Sequence, residues 1–153
     1  MRFTLDSNVL VYAAQKGDAR HDLAVALLRR AVAADCVQTM QSLGECFNAL
    51  WRERGFARRE ARAIIESYLE LFDVVVAANM EDLRRALYAA SAHGFQYWDA
   101  MIWATAWRCG CQLILTEDGQ DGRSLDGVTF VNPFNASNSS LLDRALPPLE
   151  PSP

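Results

Sequence analysis

The sequence predicts a three-layer α/β domain with a mostly parallel central sheet and helices on both faces. Three observations carry this. Short apolar runs rich in β-branched residues recur between longer stretches of helical periodicity. That alternation is the pattern of a sheet covered by its own crossover helices, which are right-handed. With 153 residues and 51% hydrophobic side chains, the chain has enough apolar material for one such domain.

The elements follow in order. Arg2 to Asp6 reads as the first strand, followed by a short helix from about Asn8 to Gln15. Leu23, Leu27, Ala31 and Ala34 form an apolar stripe on a helix from His21 to Ala34, and Cys36 to Thr39 is a short strand. Ser42-Leu43-Gly44-Glu45 opens a helix that Gly55 ends. Another runs from about Arg58 to Phe72, and the β-branched run Asp73 to Ala77 reads as a buried strand. A helix over Glu81 to Ala92 is closed by His93-Gly94, since glycine supplies a left-handed cap. Phe95 to Asp99 leads into a helix to about Cys109. Strands follow at Gln112–Thr116 and Val128–Val131, separated by a Gly/Asp loop from Glu117 to Asp126. The domain is expected to span residues 1–134. Residues 135–153, rich in Ser, Asn and Pro, read as a partly flexible tail in which Leu141, Leu142 and Leu146 offer one docked helical turn.

Composition narrows the function. No apolar run approaches the roughly 20 residues of a membrane span, and the N-terminus has no basic leader with an apolar stretch, so a cytoplasmic location is expected. Cys36, Cys46, Cys109 and Cys111 lie in apolar segments without CxxC spacing and read as reduced thiols. The only histidines, His21 and His93, are not at zinc spacing from them. A net charge of −4 argues against a nonspecific cationic nucleic-acid coat, although a bound cation reverses the field locally. Arg52, Arg54, Arg58, Arg59 and Arg62 form the one dense basic stretch. The first four are candidate contacts to RNA or a partner, or a solvated helix–turn.

The chemistry rests on four acids. Asp6 leaves the first strand and Asp118 follows the Gln112–Thr116 strand by two residues. If both strands are central and parallel, both acids emerge at the carboxyl edge, where α/β proteins bind ligands. Glu45 and Asp99 are expected in the first turns of helices that begin above the same edge. Each has a structural alternative. Ser42-x-x-Glu45 is a capping box, Asp99 suits a helix dipole, Asp6 can cap the next helix, and Asp118-Gly119 and Asp121-Gly122 are turn dipeptides. Clustered acids repel and call for a cation, and oxygen-only ligands favour Mg²⁺ or Mn²⁺.

Leu5-Asp6-Ser7-Asn8-Val9-Leu10, Glu45, Tyr97-Trp98-Asp99-Ala100, Leu115-Thr116-Glu117-Asp118 and Val128 to Phe134 together resemble a PIN-domain ribonuclease of the VapC type, the toxin of bacterial toxin–antitoxin pairs. The resemblance implies a metal held by Asp6, Glu45, Asp99 and Asp118, with Asp6 and Asp99 most direct. It also implies positioning roles for Asn8 and Thr116, and leaves open which of Glu117, Asp118 and Asp121 is the fourth acid. It implies Mg²⁺-dependent hydrolysis of single-stranded or loop RNA, with Mn²⁺ as a substitute. It further implies a cognate antitoxin, bound by the helices of residues 8–72, and a homodimer. Two alternatives stand beside it: a PIN-like binding module without catalysis, and another Mg²⁺-dependent phosphohydrolase with Asp6 as nucleophile. The second would ordinarily want an aspartate where Asn8 stands. Trp98, Trp103 and Trp107 are assigned to packing; a base-stacking role would need exposed rings.

Overall fold

Phe3, Thr4 and Leu5 form strand β1, and all three are fully buried, as expected of a strand covered on both faces. The computed structural model describes residues 1–148. Strand β2 is Gln38–Thr39, β3 Val75–Val76, β4 Leu113–Leu115, β5 Ser124–Leu125 and β6 Val128–Val131. β1 pairs in parallel with β4, with Leu5 opposite Leu115, and β4 pairs in parallel with β6. β2 pairs in parallel with β3 and is stitched to β1 by a bridge between Phe3 and Cys36. The order across the molecule is therefore β3-β2-β1-β4-β6-β5. The chain moves to one side of β1 first and returns on the other, so β1 and β4 flank the topological switch point.

Alternation along the strands separates two apolar layers. Phe3, Leu5, Leu113, Leu115 and Val131 face a core closed by helices α1 (Ser7–Ala14), α2 (His21–Val32), α3 (Met40–Glu53) and α4 (Arg58–Leu71). Ile114, Val128 and Phe130 face the opposite core, under α5 (Met80–His93) and α6 (Tyr97–Arg108). α6 is apolar on nearly every side because it lies between the sheet and α5. The buried carboxylate of Asp82 joins the two helices: it caps Asn79 N at 3.0 Å and accepts from Arg108 Nε at 2.8 Å. Gly94 ends α5 at φ 67°, the left-handed cap expected there.

Four expectations need correction. α3 begins at Met40, not Ser42, because Thr39 Oγ1 accepts from Ser42 N at 3.1 Å and caps the helix, so the Ser42–Glu45 capping box does not form. Glu45 therefore lies in the second turn, not the first. The Val75–Val76 strand is half-buried and sits at the sheet edge. The loop from Glu117 to Asp126 contains β5, which pairs antiparallel with β6. Their two-residue turn has Asp126 and Gly127 at φ 47° and 83°, as a primed hairpin turn requires.

Beyond Phe134, a 3-10 turn (Ala136–Asn138) leads into α7 (Ser139–Ala145), which buries Leu142, Ala145 and Leu146 in the first core. The flexible end expected at Pro151-Ser152-Pro153 lies outside the described residues. All four cysteines are free, and Cys36, Cys46 and Cys111 are buried. No helix among the described residues is long and apolar enough to cross a membrane.

Candidate active site

The parallel ladder runs one residue beyond the strands and fixes the first acid. Asp6 N donates to Leu115 O and Thr116 N to Val131 O, each at 3.0 Å, so Asp6 and Thr116 leave the sheet side by side. Asp6 is also the N-cap of α1, its Oδ1 accepting from Ser7 N at 2.7 Å. Thr116 Oγ1 donates to Asp6 Oδ2 at 2.8 Å and accepts from Asp118 N at 3.0 Å. Asn8 closes the arrangement. Its Nδ2 donates to Thr116 Oγ1 at 2.9 Å and reaches Asp118 Oδ2 at 3.3 Å and Asp6 Oδ2 at 3.4 Å, while its Oδ1 accepts from Glu117 N at 3.2 Å. One amide thus lies between two carboxylates and ties α1 to the loop after β4.

Glu45 comes in from α3. Gln41, four residues earlier and so on the same helix face, donates from Nε2 to Glu45 Oε1 at 2.7 Å and to the Trp98 carbonyl at 3.0 Å. Ser7 Oγ stands 3.5 Å from Glu45 Oε2. Asp99 is the third residue of α6 and half-buried. Burial is the largest influence on three of these acids, and their mutual repulsion adds to it. Asp6 is pushed up to about 6 by burial, opposed by Thr116 and Ser7 and reinforced by Glu45 and Asp118. Glu45 is raised by burial, with Asp99 and Asp118 adding to it, and Asp99 is raised by burial and by Asp118. Glu45 and Asp118 line a cavity of about 520 Å³ with Ser7, Asn8, Tyr12 and Arg54 among others; Asp6 and Asp99 are outside that lining, Asp6 raised in part by Glu45 and Asp118 and Asp99 in part by Asp118.

The three neighbouring acids of the β4–β5 loop have different surroundings. Glu117 is engaged by Arg20 Nη1 at 2.6 and 2.7 Å and by the Tyr12 hydroxyl. Asp121 accepts from Asn132 N, Asn135 Nδ2 and Asn138 Nδ2, which hold it below its ordinary range and pin the segment before α7. Asp118 is the one that faces the cavity.

The basic stretch is divided. Arg54 reaches the cavity wall, with Asp18 at 3.6 Å and Gln15 Oε1 at 3.1 Å. Arg52 and Arg58 instead stack on Trp51, at 4.9 and 4.2 Å, and Arg59 is exposed; none of these three lines the cavity. Sequence reasoning missed Gln41, Tyr12 and Arg20. Gln41 and Tyr12 had a signal, each standing four residues from a named site residue on its own helix. Arg20 had none, because it meets Glu117 across 97 residues.

The donor set suits a hard divalent cation: four carboxylates and neutral oxygens, with no thiol or imidazole. Among the described residues no three acidic, His or Cys side chains stand close enough to share one ion. That still fits Mg²⁺, which commonly takes one or two carboxylates and completes its shell with water and substrate phosphate.

An α/β domain that gathers carboxylates at its topological switch point belongs to a class that binds ligands at that edge. Within that class the chain belongs to the PIN domain family, which it matches over residues 3–121; these are nucleases, generally dependent on a divalent metal. Solved structures agree on the fold. VapC20 from Mycobacterium tuberculosis, described as a toxin that cleaves the sarcin–ricin loop, is 23% identical with a TM-score of 0.63, covering 77% of this chain and 91% of that one. PAE2754 from Pyrobaculum aerophilum is 21% identical with a TM-score of 0.61, covering 95% and 98%. A toxin–antitoxin complex from Klebsiella pneumoniae gives 18%, a TM-score of 0.60, and 86% and 97%. No curated protein sequence matches the chain.

Proposed function

We propose that this protein is a divalent-metal-dependent endoribonuclease and the toxin of a toxin–antitoxin pair. The observation that carries the reading is that Glu45 and Asp118 line one cavity while like charge adds to the raised carboxyls of Asp6, Glu45 and Asp99, a cost to the fold that a cation would remove. Asp6 and Asp99 would hold the ion most directly, and Asp118 and Glu45 would add negative charge beside it. A bound Mg²⁺, or Mn²⁺ in its place, would supply Lewis-acid polarisation of the phosphate and a water of lowered pKa.

The chain's own groups have distinct tasks. Thr116 and Asn8 hold Asp6 and Asp118 in fixed orientation without neutralising them. Both Asp6 oxygens are engaged, by Ser7 N and Thr116 Oγ1, which suits a ligand better than the nucleophile of a phosphohydrolase. Glu45, raised by burial, is a suitable acceptor for the proton of the attacking water, since a general base works best with a pKa near the working pH. Arg54 on the cavity wall offers a guanidinium to the flanking phosphate.

The substrate is single-stranded or loop RNA, cut to leave a 5′-phosphate. The cognate antitoxin would bind across α1 to α4, where Trp51 between Arg52 and Arg58 forms an amphipathic contact point. A homodimer in the cytoplasm is the expected setting. One observation favours the alternative of a binding module without catalysis: no three of the acids converge on a single point among the described residues.

The test is cleavage of a structured RNA pool in Mg²⁺ or Mn²⁺ and in EDTA, with Asp6→Asn alongside. Metal-dependent cuts that vanish in the variant are expected. Melting in Mn²⁺ is the second arm: stabilisation of the wild type, weakened in Asp6→Asn and Asp99→Asn. If Mn²⁺ stabilises none of them and no cuts are seen, the binding module becomes the better reading.

A further inference from the structure

The three tryptophans assigned to packing do not share that role. Trp103 is 1% exposed and donates from Nε1 to Leu125 O at 3.0 Å. Trp107 carries the Arg85 guanidinium 3.5 Å from its ring centre. Trp98 is 60% exposed, yet its ring is held by Tyr97 in an edge-on arrangement with centroids 4.9 Å apart. An exposed but oriented indole is the condition a stacking platform needs.

Trp98 walls two cavities. One is the carboxylate cavity; the other, of about 450 Å³, lies between α3, the segment after β3, and α6. The second is mainly apolar, floored by Met40, Gly44, Ala77, Ala78 and Met101. The two share Glu45, Asn48 and Trp98, so they are compartments of one groove. Gly44 is an independent sign that the space is used. Glycine inside a helix is destabilising relative to alanine. Here the backbone does not take a positive φ, and an added Cβ would meet nothing within 4 Å. Neither conformation nor close packing requires glycine at 44; its bare backbone leaves the groove open.

We propose that the second cavity takes one unpaired base of the RNA, next to the phosphate held at the carboxylates, with its face on Trp98 and its edge toward Asn48. This rests on the nuclease reading above and adds a subsite to it. The occupant must be flat and apolar on its face, polar at its edge, and covalently joined to a phosphate one compartment away; a nucleotide meets all three conditions. The base must be unpaired, because in a duplex its faces are covered by neighbouring bases. Gln41 links the subsite to the chemistry, since its Nε2 donates both to the Trp98 carbonyl and to Glu45. A base settling on Trp98 would thereby steady the carboxylate.

The test uses the full chain and a fluorescein-labelled pentaadenylate RNA, with binding read by anisotropy in Ca²⁺ buffer. A set of the same pentamers carries an abasic ribose at each position in turn. Trp98→Ala is expected to weaken binding roughly tenfold or more, the scale of one base–aromatic stack, and Trp98→Phe to restore most of it. The loss should disappear for the one pentamer whose abasic position faces residue 98. Gly44→Leu should weaken binding while leaving the melting temperature unchanged or higher.

Equal binding of intact and abasic pentamers, no binding at all, or equal loss from Trp98→Ala at every abasic position overturns the proposal. So does sedimentation showing a wild-type dimer that Trp98→Ala or Gly44→Leu turns into a monomer, because a second copy would then occupy the groove. Mn²⁺-dependent cleavage of a long RNA, run on the same preparations, separates the two readings. Cleavage without base-dependent binding removes the subsite and leaves the nuclease. Base-dependent binding without cleavage and without stabilisation by Mn²⁺ supports the subsite and removes the nuclease.

Discussion

Lowering the pH of the metal-free protein from 7 to 5 should make it more stable. The folded-state carboxyl of Asp6 lies at about 6 against an ordinary 3.8, with burial as the main cause and Glu45 and Asp118 reinforcing it. An acid raised on folding binds its proton more tightly in the native state, so stability falls as pH rises from the unfolded value through the folded one. For Asp6 the destabilisation at pH 7 is about 3 kcal/mol, and returning to pH 5 recovers about 1.3 kcal/mol. In a chain of this length that corresponds to about 3–5 °C in melting temperature. Glu45 and Asp99 are raised as well and act in the same direction. Asp18 and Asp121 are lowered, and their stabilisation is lost only at more acidic pH than this window. Chemical denaturation in EDTA at pH 5, 6 and 7 measures the effect, with Asp6→Asn as the control whose slope should flatten. Saturating Mn²⁺ should reverse the slope, because metal and proton compete for the same oxygens. An unfolding free energy in EDTA that is flat or rises from pH 5 to 7, or a slope unchanged in Asp6→Asn, refutes the buried acidic site.

Further outcomes follow from particular contacts. Glu117→Gln removes a carboxylate that meets Arg20 and Tyr12 beside Asp118; it should cost about 1 kcal/mol in melts and roughly 10-fold in metal-dependent cleavage, since the loop carrying Asp118 loses its anchor. Arg108→Ala leaves the 2%-exposed carboxylate of Asp82 without its cation and should cost about 3 kcal/mol in urea unfolding, with little effect on metal-induced stabilisation. Leu146→Ala opens space in the first core where α7 docks and should cost about 2–5 kcal/mol; a variant as stable as wild type would mean that α7 is dispensable.

What could be read from the sequence divides along physical lines. β1 and β4 are visible because a strand buried on both faces must be apolar throughout, and Asp6 is visible as the abrupt end of one. Asp99 is legible because helix α6 begins two residues before it, with Gly94 closing the helix upstream. The start of α3 is harder. Thr39 and Ser42 are both good cap residues, and the choice is made by where β2 ends, a tertiary fact. β5 is two residues long and carries no periodic signal; its only trace is the Asp126-Gly127 turn. α7 shows in the sequence as the one docked turn of Leu141, Leu142 and Leu146, while the Ser/Asn/Pro composition around it hides its full length. Sequence alone left Glu117, Asp118 and Asp121 open, because the contacts that distinguish their surroundings come from Arg20 and from Asn132, Asn135 and Asn138.

The placement of cations explains how the site keeps its charge. The groups that hold the acids are neutral: Ser7 N and the Thr116 hydroxyl on Asp6, the Asn8 amide on Asp118, and the Gln41 amide on Glu45. Neutral donors fix geometry and moderate repulsion while leaving net negative charge. Arg123 lowers Asp99 through its charge, whereas the two guanidiniums nearest the β4–β5 loop and the cavity wall are engaged one step away. Arg20 is held by Asp18 and Glu117, and Arg54 by Asp18 and Gln15. Had either arginine paired directly with Asp6, it would have relieved the repulsion that the proposed cation would otherwise relieve. The buried cores on either side of the sheet supply the stability that the raised carboxyls of Asp6, Glu45 and Asp99 subtract, so a cluster suited to the proposed cation persists at the edge of a well-packed fold.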